Sequence, residues 1–245
     1  FYFCFELINV TIMIFVTGGT GLVGSHLIFE LLKAGKNVKG ISRNISGIEV
    51  VKELFSWYDT DFDNVAGNLV WVEGDILDFL VLEKELKGVD EIYHCAAEIS
   101  FNPADKIPMI RNNVKGTANL VNFALENKVK KFCHVSSVAA LGKETESSSV
   151  DESTQRVPGS QYSGYSLSKF HSEMEVWRGS VEGLNAVIVN PSIIIGPGRK
   201  NSGSQKMFFE INKGLRFYTK GVSGFVDVRD VVTIMIRLME ENVFG

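Results

Sequence analysis

A glycine-rich turn near the start of the chain places the strongest constraint on its fold. An apolar run ends at Thr17 and a helical pattern follows, and between them the chain reads Thr17-Gly18-Gly19-Thr20-Gly21-Leu22-Val23-Gly24. Glycines in such a turn let the backbone approach a phosphate closely, and the N-terminus of the helix offers free N–H groups to an anion. The context predicts a dinucleotide site, and packing alone is the alternative explanation of the turn. The predicted cofactor contacts are Gly18, Thr20, Gly21, Leu22, Val23 and Gly24.

Short apolar runs alternate with longer segments of helical periodicity along the rest of the chain. We predict strands over Ile12 to Thr17, Asn37 to Ser42, Leu69 to Glu73, Glu91 to Ala96, Lys131 to Ser136 and Ala186 to Asn190. This alternation predicts an α/β fold, a Rossmann-type doubly wound parallel sheet with ligands at the carboxyl ends of its strands. Residues 13–190 are predicted to form this domain. Residues 191–245, where the alternation weakens, are expected to form part of a small C-terminal substrate-binding subdomain.

Charge and cysteine content argue against several classes of protein. With 25 basic and 29 acidic residues the formal net charge is -4, so nucleic acid is not an expected partner. Cys4, Cys95 and Cys133 form no CxxC motif, which favours free thiols in a reducing cytoplasm. The histidines have no neighbours at ligand spacing, so no metal is expected.

Residues 1–12 are an apolar leader interrupted by Glu6 and Asn9, and neither a signal peptide nor a membrane span is expected.

The segment after the second predicted strand bears on the choice of dinucleotide. About 20 residues beyond the glycine turn, where an acidic residue would hold the ribose 2′-hydroxyl of NAD, the chain reads Gly40-Ile41-Ser42-Arg43-Asn44. The Arg43 guanidinium could pair with a 2′-phosphate through charge-assisted hydrogen bonds. The sequence therefore favours NADP. NAD stays open, because a solvated Arg43 also fits the pattern.

Two groups of polar residues later in the chain suggest acid–base chemistry. In Tyr165-Ser166-Leu167-Ser168-Lys169 a phenol and an ammonium lie four residues apart, on one face of a predicted helix. A phenol ionises only near pH ~10, and a nearby positive charge is expected to lower that value. Ser136-Ser137 follows an apolar strand and could simply cap its end. Because Tyr165 and Lys169 follow in the same chain, a catalytic role for Ser136-Ser137 is favoured over capping alone.

In this order along the chain, the three features resemble the extended short-chain dehydrogenase/reductase family. Further matching segments are Gly74-Asp75-Ile76, His94-Cys95-Ala96-Ala97, Asn113-Val114-Lys115-Gly116-Thr117 and Asn190-Pro191-Ser192. The resemblance implies that Ser137 is the catalytic serine, Tyr165 the acid–base and Lys169 the ribose-binding residue. It also implies that Asn113 supports the active-site backbone. The cofactor contacts that it implies are Asp75, Ile76, Ala96, Ala97, Asn113, Tyr165, Lys169 and Pro191.

Departures from the family pattern suggest which branch the chain resembles. Sugar dehydratases carry Thr-Asp-Glu where this chain has Ser136-Ser137-Val138, and many nucleotide-sugar enzymes have an arginine at the position of Ser223. The chain is most similar to the dihydroflavonol 4-reductase-like branch. That similarity implies an NADP-dependent oxidoreductase that reduces a carbonyl, or oxidises an alcohol, of a small organic substrate.

Two alternatives to the reductase remain open. One is a nucleotide-sugar 4-epimerase, in which a basic residue further along the chain would replace the missing arginine. The candidates for that replacement are Arg199, Lys200, Lys206 and Arg216. The other alternative is a non-catalytic dinucleotide sensor, for which an intact Ser137, Tyr165 and Lys169 would be unnecessary. The family resemblance also implies a homodimer.

Overall fold

A six-stranded parallel sheet forms the centre of the molecule. The computed structural model describes residues 12–58, 61–142, 150–154, 156–158, 160–198, 204–214 and 222–244. The strands are β1 (Met13–Thr17), β2 (Asn37–Ser42), β3 (Leu69–Glu73), β4 (Glu91–His94), β5 (Lys131–Val135) and β6 (Ala186–Val189). Their order across the sheet is β3-β2-β1-β4-β5-β6. The six predicted strands and the doubly wound fold are confirmed, with strand ends that differ by one or two residues at most.

Helices cover both faces of this sheet. They are α1 (Leu22–Lys33), α2 (Glu49–Trp57), α3 (Phe79–Glu85), α4 (Lys106–Glu126), α5 (Gly164–Val181), α6 (Gln205–Asn212) and α7 (Val228–Glu240). Side chains of a strand point alternately to opposite faces, so Ile14 and Val16 of β1 pack with α1, α2 and α7. Phe15 packs on the other face, with α3, α4 and α5. Among the residues described, no helix is both long enough and apolar enough to cross a membrane.

The segment after residue 190 contributes to the same core. Its β7 (Ile193–Ile195) and β8 (Phe225–Asp227) form a small parallel sheet that the sequence analysis did not predict. The helix α7 begins at an Asp227 cap, whose carboxylate accepts a hydrogen bond from the Arg229 N–H at 2.8 Å. Its buried face packs in the cluster that contains α1. Packing therefore joins α7 to the domain formed by residues 13–190, and a substrate-binding role for residues 191–245 stays a prediction. Most of the predicted leader, including Cys4, lies outside the described residues.

The packing of α7 can be tested with two neighbouring residues of that helix. Met235 is fully buried and Ile234 is about half exposed. We expect Met235→Ala to lower the free energy of unfolding by about 2–5 kcal/mol, as large-to-small core substitutions do. The control Ile234→Ala should change it by no more than about 0.5 kcal/mol. Urea denaturation measures both, and equal effects would contradict the packing described.

Candidate cofactor cleft and active site

A cleft of about 420 Å³ opens at the carboxyl ends of β1 to β4. The strand order reverses between β1 and β4, and doubly wound sheets bind ligands at such a switch point. The predicted cofactor contacts that line the cleft are Gly18, Thr20, Gly21, Arg43, Asp75, Ile76, Ala96, Ala97 and Asn113. Leu22, Val23 and Gly24 form the first turn of α1 and do not line it.

The backbone of the glycine turn requires residues without side chains. Gly18 has a φ of 68°, and a Cβ atom there would lie 2.7 Å from the backbone nitrogen of Ala96. A Cβ atom at Gly24 would lie 2.2 Å from the carbonyl oxygen of Gly18. Gly21, the N-cap of α1, has no side chain with which to cap the helix, so the first N–H groups of α1 are available to an anion. The turn fits the pyrophosphate of a dinucleotide.

Arg43 and Glu98 lie on the cleft wall. The Arg43 side chain is 67% exposed, and its Nη1 atom lies 3.4 Å from Oε1 of Glu98. Asn112 Nδ2 donates to the other carboxylate oxygen of Glu98 at 3.3 Å. Sequence reasoning missed Glu98, because nothing in the spacing indicates that the segment after β4 reaches the loop after β2.

Asp75 and Ile76 follow β3 and shape the next part of the wall. The Asp75 carboxylate accepts a hydrogen bond from the Leu77 N–H at 2.9 Å, which fixes the turn into α3. Ile76 lies against Gly116 of α4, where a Cβ atom would come within 2.5 Å of the isoleucine side chain. Both residues are thus held in place by contacts within the protein.

A buried histidine links the cleft to the centre of the sheet. His94 Nδ1 lies 2.8 Å from Thr17 Oγ1, and His94 Nε2 lies 2.9 Å from Thr117 Oγ1. The Thr117 hydroxyl donates to the Asn113 carbonyl, so it accepts from Nε2–H, and Nδ1 accepts from the Thr17 hydroxyl. Thr17 Oγ1 in turn accepts from the Ala96 N–H at 3.2 Å. Burial lowers the pKa of His94 to about 3, which keeps the imidazole neutral in this chain of hydrogen bonds.

Asn113 connects the cleft to the predicted catalytic residues. Its amide accepts from the Glu98 N–H at 2.8 Å and donates to the Glu98 carbonyl at 2.9 Å. The same Nδ2 atom also donates to the Ser168 hydroxyl at 2.7 Å, and Ser168 precedes Lys169 on α5. The structure therefore shows Asn113 supporting the backbone beside the cleft.

The three predicted catalytic residues meet at the carboxyl end of β5. Ser137 follows this strand and caps the short turn Val138–Ala140, accepting a hydrogen bond from the Ala139 N–H. Ser163 caps α5, which places Tyr165 in the first turn of the helix. The Lys169 side chain, in a residue only 4% exposed, donates from Nζ to the Val135 carbonyl at 2.8 Å. None of the three lines the cleft, but Asn113 joins their helix to it.

The pKa values of these groups are governed mainly by burial. Desolvation lowers the pKa of Lys169 to about 8, which Cys95 and Glu173 partly oppose. Desolvation raises the pKa of Tyr165, and hydrogen bonding with the Ser137 side chain opposes that rise. The structure therefore differs from the expectation that Lys169 lowers the pKa of Tyr165, because the phenol is buried and Lys169 points to a backbone carbonyl.

Arg156 and Pro191 hold the loop that carries Ser137. The Arg156 guanidinium stacks on the Tyr162 ring at 3.6 Å from its centroid and donates to the Ala140 carbonyl at 2.8 Å. Pro191, predicted to contact the cofactor, follows β6, and its carbonyl accepts from the Val138 N–H at 3.1 Å. The sequence offered no signal for Arg156, whose partners Ala140 and Tyr162 lie on either side of it in the chain.

The residues weighed for a nucleotide-sugar phosphate are only partly described. Ser223 is exposed. Arg199, Lys200, Arg216 and the side chain of Lys206 lie outside the described part of the structure.

The fold and the cleft define a dinucleotide-binding protein of the Rossmann class. Residues 14–245 match the sequence model of the NAD dependent epimerase/dehydratase family. The chain belongs to this family of NAD(P)-dependent enzymes, within the extended short-chain dehydrogenases/reductases, as the sequence resemblance predicted.

Individual relatives include enzymes named as reductases. The chain is 31% identical over 219 residues to a putative dihydroflavonol 4-reductase from Synechocystis sp., covering 89% of this chain and 60% of that protein. It is 31% identical over 242 residues to tetraketide alpha-pyrone reductase 2 from Arabidopsis thaliana, covering 92% and 73%. The crystal structure of the Bordetella bronchiseptica enzyme WbmH in complex with NAD+ has a TM-score of 0.74 and 26% identity, covering 93% and 72%.

The neutral histidines predict how stability depends on pH. Burial lowers the pKa of both His94 and its neighbour His134, whereas in the unfolded chain both histidines take up protons near pH 6.5. The unfolded state therefore binds more protons as the pH falls from about 6.5 to 5, and the free energy of unfolding falls with it. Each histidine contributes a slope of up to about 1.4 kcal/mol per pH unit.

Urea denaturation at several pH values measures this slope. His94→Gln should reduce the slope by up to about 1.4 kcal/mol per pH unit, because the difference in proton binding at this residue is removed. The control His171→Gln replaces an exposed histidine and should leave the slope unchanged. An unchanged slope in His94→Gln would contradict the neutral imidazole.

Proposed function

We propose that this protein is an NADP-dependent oxidoreductase that reduces a carbonyl of a small organic substrate, or oxidises the corresponding alcohol. The observation that carries the proposal is the meeting of Ser137, Tyr165 and Lys169 beside a cleft built for a dinucleotide. Asn113 connects the two through its bonds to Glu98 and Ser168. The relatives named as reductases support it further.

The side chains divide the chemistry between them. A bound nicotinamide dinucleotide supplies the hydride that the carbonyl carbon accepts. The Tyr165 phenol, kept protonated by burial, donates its proton to the carbonyl oxygen as negative charge develops there. The Ser137 hydroxyl donates a hydrogen bond to the same oxygen and orients it. Lys169, whose pKa is about 8, is largely charged at neutral pH and would hold the nicotinamide ribose of the bound dinucleotide through hydrogen bonds.

An exposed apolar side chain lies next to Tyr165. The Phe101 ring centroid lies 6.1 Å from that of Tyr165, and Phe101 is 80% exposed. Ile99, two residues earlier, is also exposed. An exposed aromatic ring beside the proton donor favours a substrate with an apolar group near its carbonyl, and the serine at position 223 removes a charge that a nucleotide sugar would use.

The preference for NADP rests on Arg43, which lines the cleft just after β2 in a segment, Ser42-Arg43-Asn44, without an acidic residue. The carboxylate of Glu98, from the segment after β4, lies 3.4 Å from its guanidinium, and a 2′-phosphate would compete with it for Arg43. Replacing it by alanine should weaken NADPH binding by about 1.5–3 kcal/mol, the range for hydrogen bonds to charged groups, and leave NADH binding nearly unchanged. Fluorescence titration with both cofactors measures this. The control Arg237→Ala removes an exposed arginine of α7 and should alter neither affinity. Equal affinities of the wild type for both cofactors would contradict the preference.

The role of Tyr165 can be tested by removing its hydroxyl alone. Tyr165→Phe should lower kcat for carbonyl reduction by about 10²–10⁴, as expected for loss of a general acid, while NADPH affinity stays close to that of the wild type. Tyr162→Phe makes the same change three residues earlier and should retain most of the activity. A Tyr165→Phe enzyme with the kcat of the wild type would contradict the role of Tyr165 as proton donor and favour the hypothesis of a non-catalytic dinucleotide sensor.

A nucleotide-sugar 4-epimerase is the second candidate, because the matching family is that of epimerases and dehydratases. The same serine, tyrosine and lysine would serve it, so the distinction depends on the substrate. Calorimetry with UDP-glucose separates the two candidates. Micromolar binding followed by epimerisation in a sugar analysis would support the epimerase over the reductase.

A further inference from the structure

A buried carboxylate lies behind the reactive residues. Glu173 is one helical turn beyond Lys169 on α5, on the face that carries Tyr165 and Lys169. It is 5% exposed. A carboxylate that is removed from water costs free energy unless hydrogen bonds and opposite charge compensate for it. The contacts of Glu173 therefore indicate what this residue does in the fold.

The carboxylate is bonded to the segment that supports Ser137. Asn190, the first residue after β6, donates from Nδ2 to Oε1 of Glu173 at 2.5 Å. The same Nδ2 atom donates to the carbonyl of Ser137 at 3.2 Å. Glu173 thus orients the amide that fixes the backbone of the predicted catalytic serine, and it joins α5 to the carboxyl ends of β5 and β6.

The charge of Glu173 also acts on Lys169. Besides Glu173, three titratable groups of the described residues lie close enough to Lys169 to interact with its charge. His94 at the end of β4 and His134 on β5 are buried, and Cys95, the residue after β4, is half-buried. Burial keeps the two imidazoles neutral, and it raises the pKa of Cys95 to about 12. Burial also raises the pKa of Glu173, and Lys169 and Arg156 act against that rise. Of the described groups that act on Lys169, Glu173 is the one that supplies a carboxylate charge.

We propose that Glu173 is a positioning residue with two separable effects, fixing Ser137 through Asn190 and stabilising the ammonium form of Lys169. The first effect needs a hydrogen-bond acceptor and the second needs a negative charge. Glutamine at this position keeps the acceptor and removes the charge, whereas aspartate keeps the charge and withdraws it from Asn190. The catalytic part of this inference rests on the proposed reductase function, and the electrostatic part does not.

The electrostatic effect can be measured without substrate or cofactor. In protein labelled with ¹³C-lysine, the resonance of Lys169 is identified by its loss in Lys169→Arg, and its titration is followed by NMR. Glu173→Gln should lower the titration midpoint of Lys169 by about half a pH unit or more, because an attractive charge is lost. The control Glu175→Gln, on the same helix and paired with Arg178, should not change it. An unchanged midpoint in Glu173→Gln would overturn the electrostatic part.

The positioning effect is measured in carbonyl reduction with NADPH. At pH 6.5, Glu173→Gln should retain a kcat within about threefold of the wild type. As the pH is raised, the variant should lose activity at a lower pH than the wild type does. The difference between these two pH values should equal the shift of the Lys169 midpoint measured by NMR. Asn190→Ala and Glu173→Asp should lower kcat about tenfold or more across the pH range, with NADPH affinity unchanged. If Glu173 only stabilises the fold, its substitution should alter the melting temperature but change neither the pH dependence of kcat nor the titration of Lys169.

The outcomes separate the two proposals. If the Lys169 midpoint falls in Glu173→Gln but wild type reduces no carbonyl, the reductase function fails and the electrostatic inference stands. If wild type is active but Asn190→Ala and Glu173→Asp retain its kcat, the link to Ser137 is wrong and the reductase function stands.

Discussion

The neutral imidazole of His94 holds together the parts of the molecule on which the site depends. It accepts a hydrogen bond from Thr17 at the end of β1 and donates one to Thr117 on α4. Because Thr17 also receives the Ala96 N–H, the backbone after β4 is fixed beside Gly18. The glycine turn can then pass within contact distance of that backbone, and the cleft floor takes its shape from this approach. A charged imidazole could not accept from Thr17, so the network requires the low pKa that burial produces.

Burial also sets the chemistry at the other end of the site. Tyr165 and Lys169 lie on one face of α5, and the surrounding protein disfavours the charged form of each. This suits the proposed role of Tyr165 as proton donor, because burial keeps the phenol protonated at neutral pH. Burial disfavours the phenolate that remains, and the hydrogen bond with Ser137 partly offsets this. Lys169 in turn depends on its surroundings, where Glu173 provides a negative charge.

Much of this architecture follows from local sequence patterns. The strands of a parallel sheet are apolar runs, and the glycine turn identifies β1 and α1, so fold and cofactor cleft could be predicted without coordinates. The spacing of Tyr165 and Lys169 predicted a shared helix face correctly. It could not indicate that the amine points to the Val135 carbonyl, or that burial and the hydrogen bond with Ser137 determine the pKa of the phenol.

Other features of the site depend on contacts between residues far apart in the chain, which the spacing of residues along the sequence does not indicate. Glu98 reaches Arg43, and Asn190 reaches both Glu173 and Ser137, only because the sheet order brings distant strand ends side by side. The strands β7 and β8 have three residues each, too few for a periodic pattern. For α7, an amphipathic pattern indicates that one face is buried, but it does not identify α1 as the partner.

The central claim is that the N-terminus of α1, at the glycine turn, binds the phosphates of a dinucleotide. A titration of NADPH fluorescence with Gly21→Val tests it directly. Gly21 has an extended backbone with a negative φ, and a Cβ atom there would lie 3.2 Å from the carbonyl oxygen of Gly18. Valine therefore requires a small shift of the turn and places methyl groups in the cleft, and the melting temperature shows whether the protein is folded. Gly67→Val is the matched control, since a Cβ atom there meets no atom within 4 Å. The account predicts at least tenfold weaker binding in Gly21→Val, a loss of about 1.4 kcal/mol or more, and no change in the control. Wild-type affinity in a folded Gly21→Val protein would contradict it.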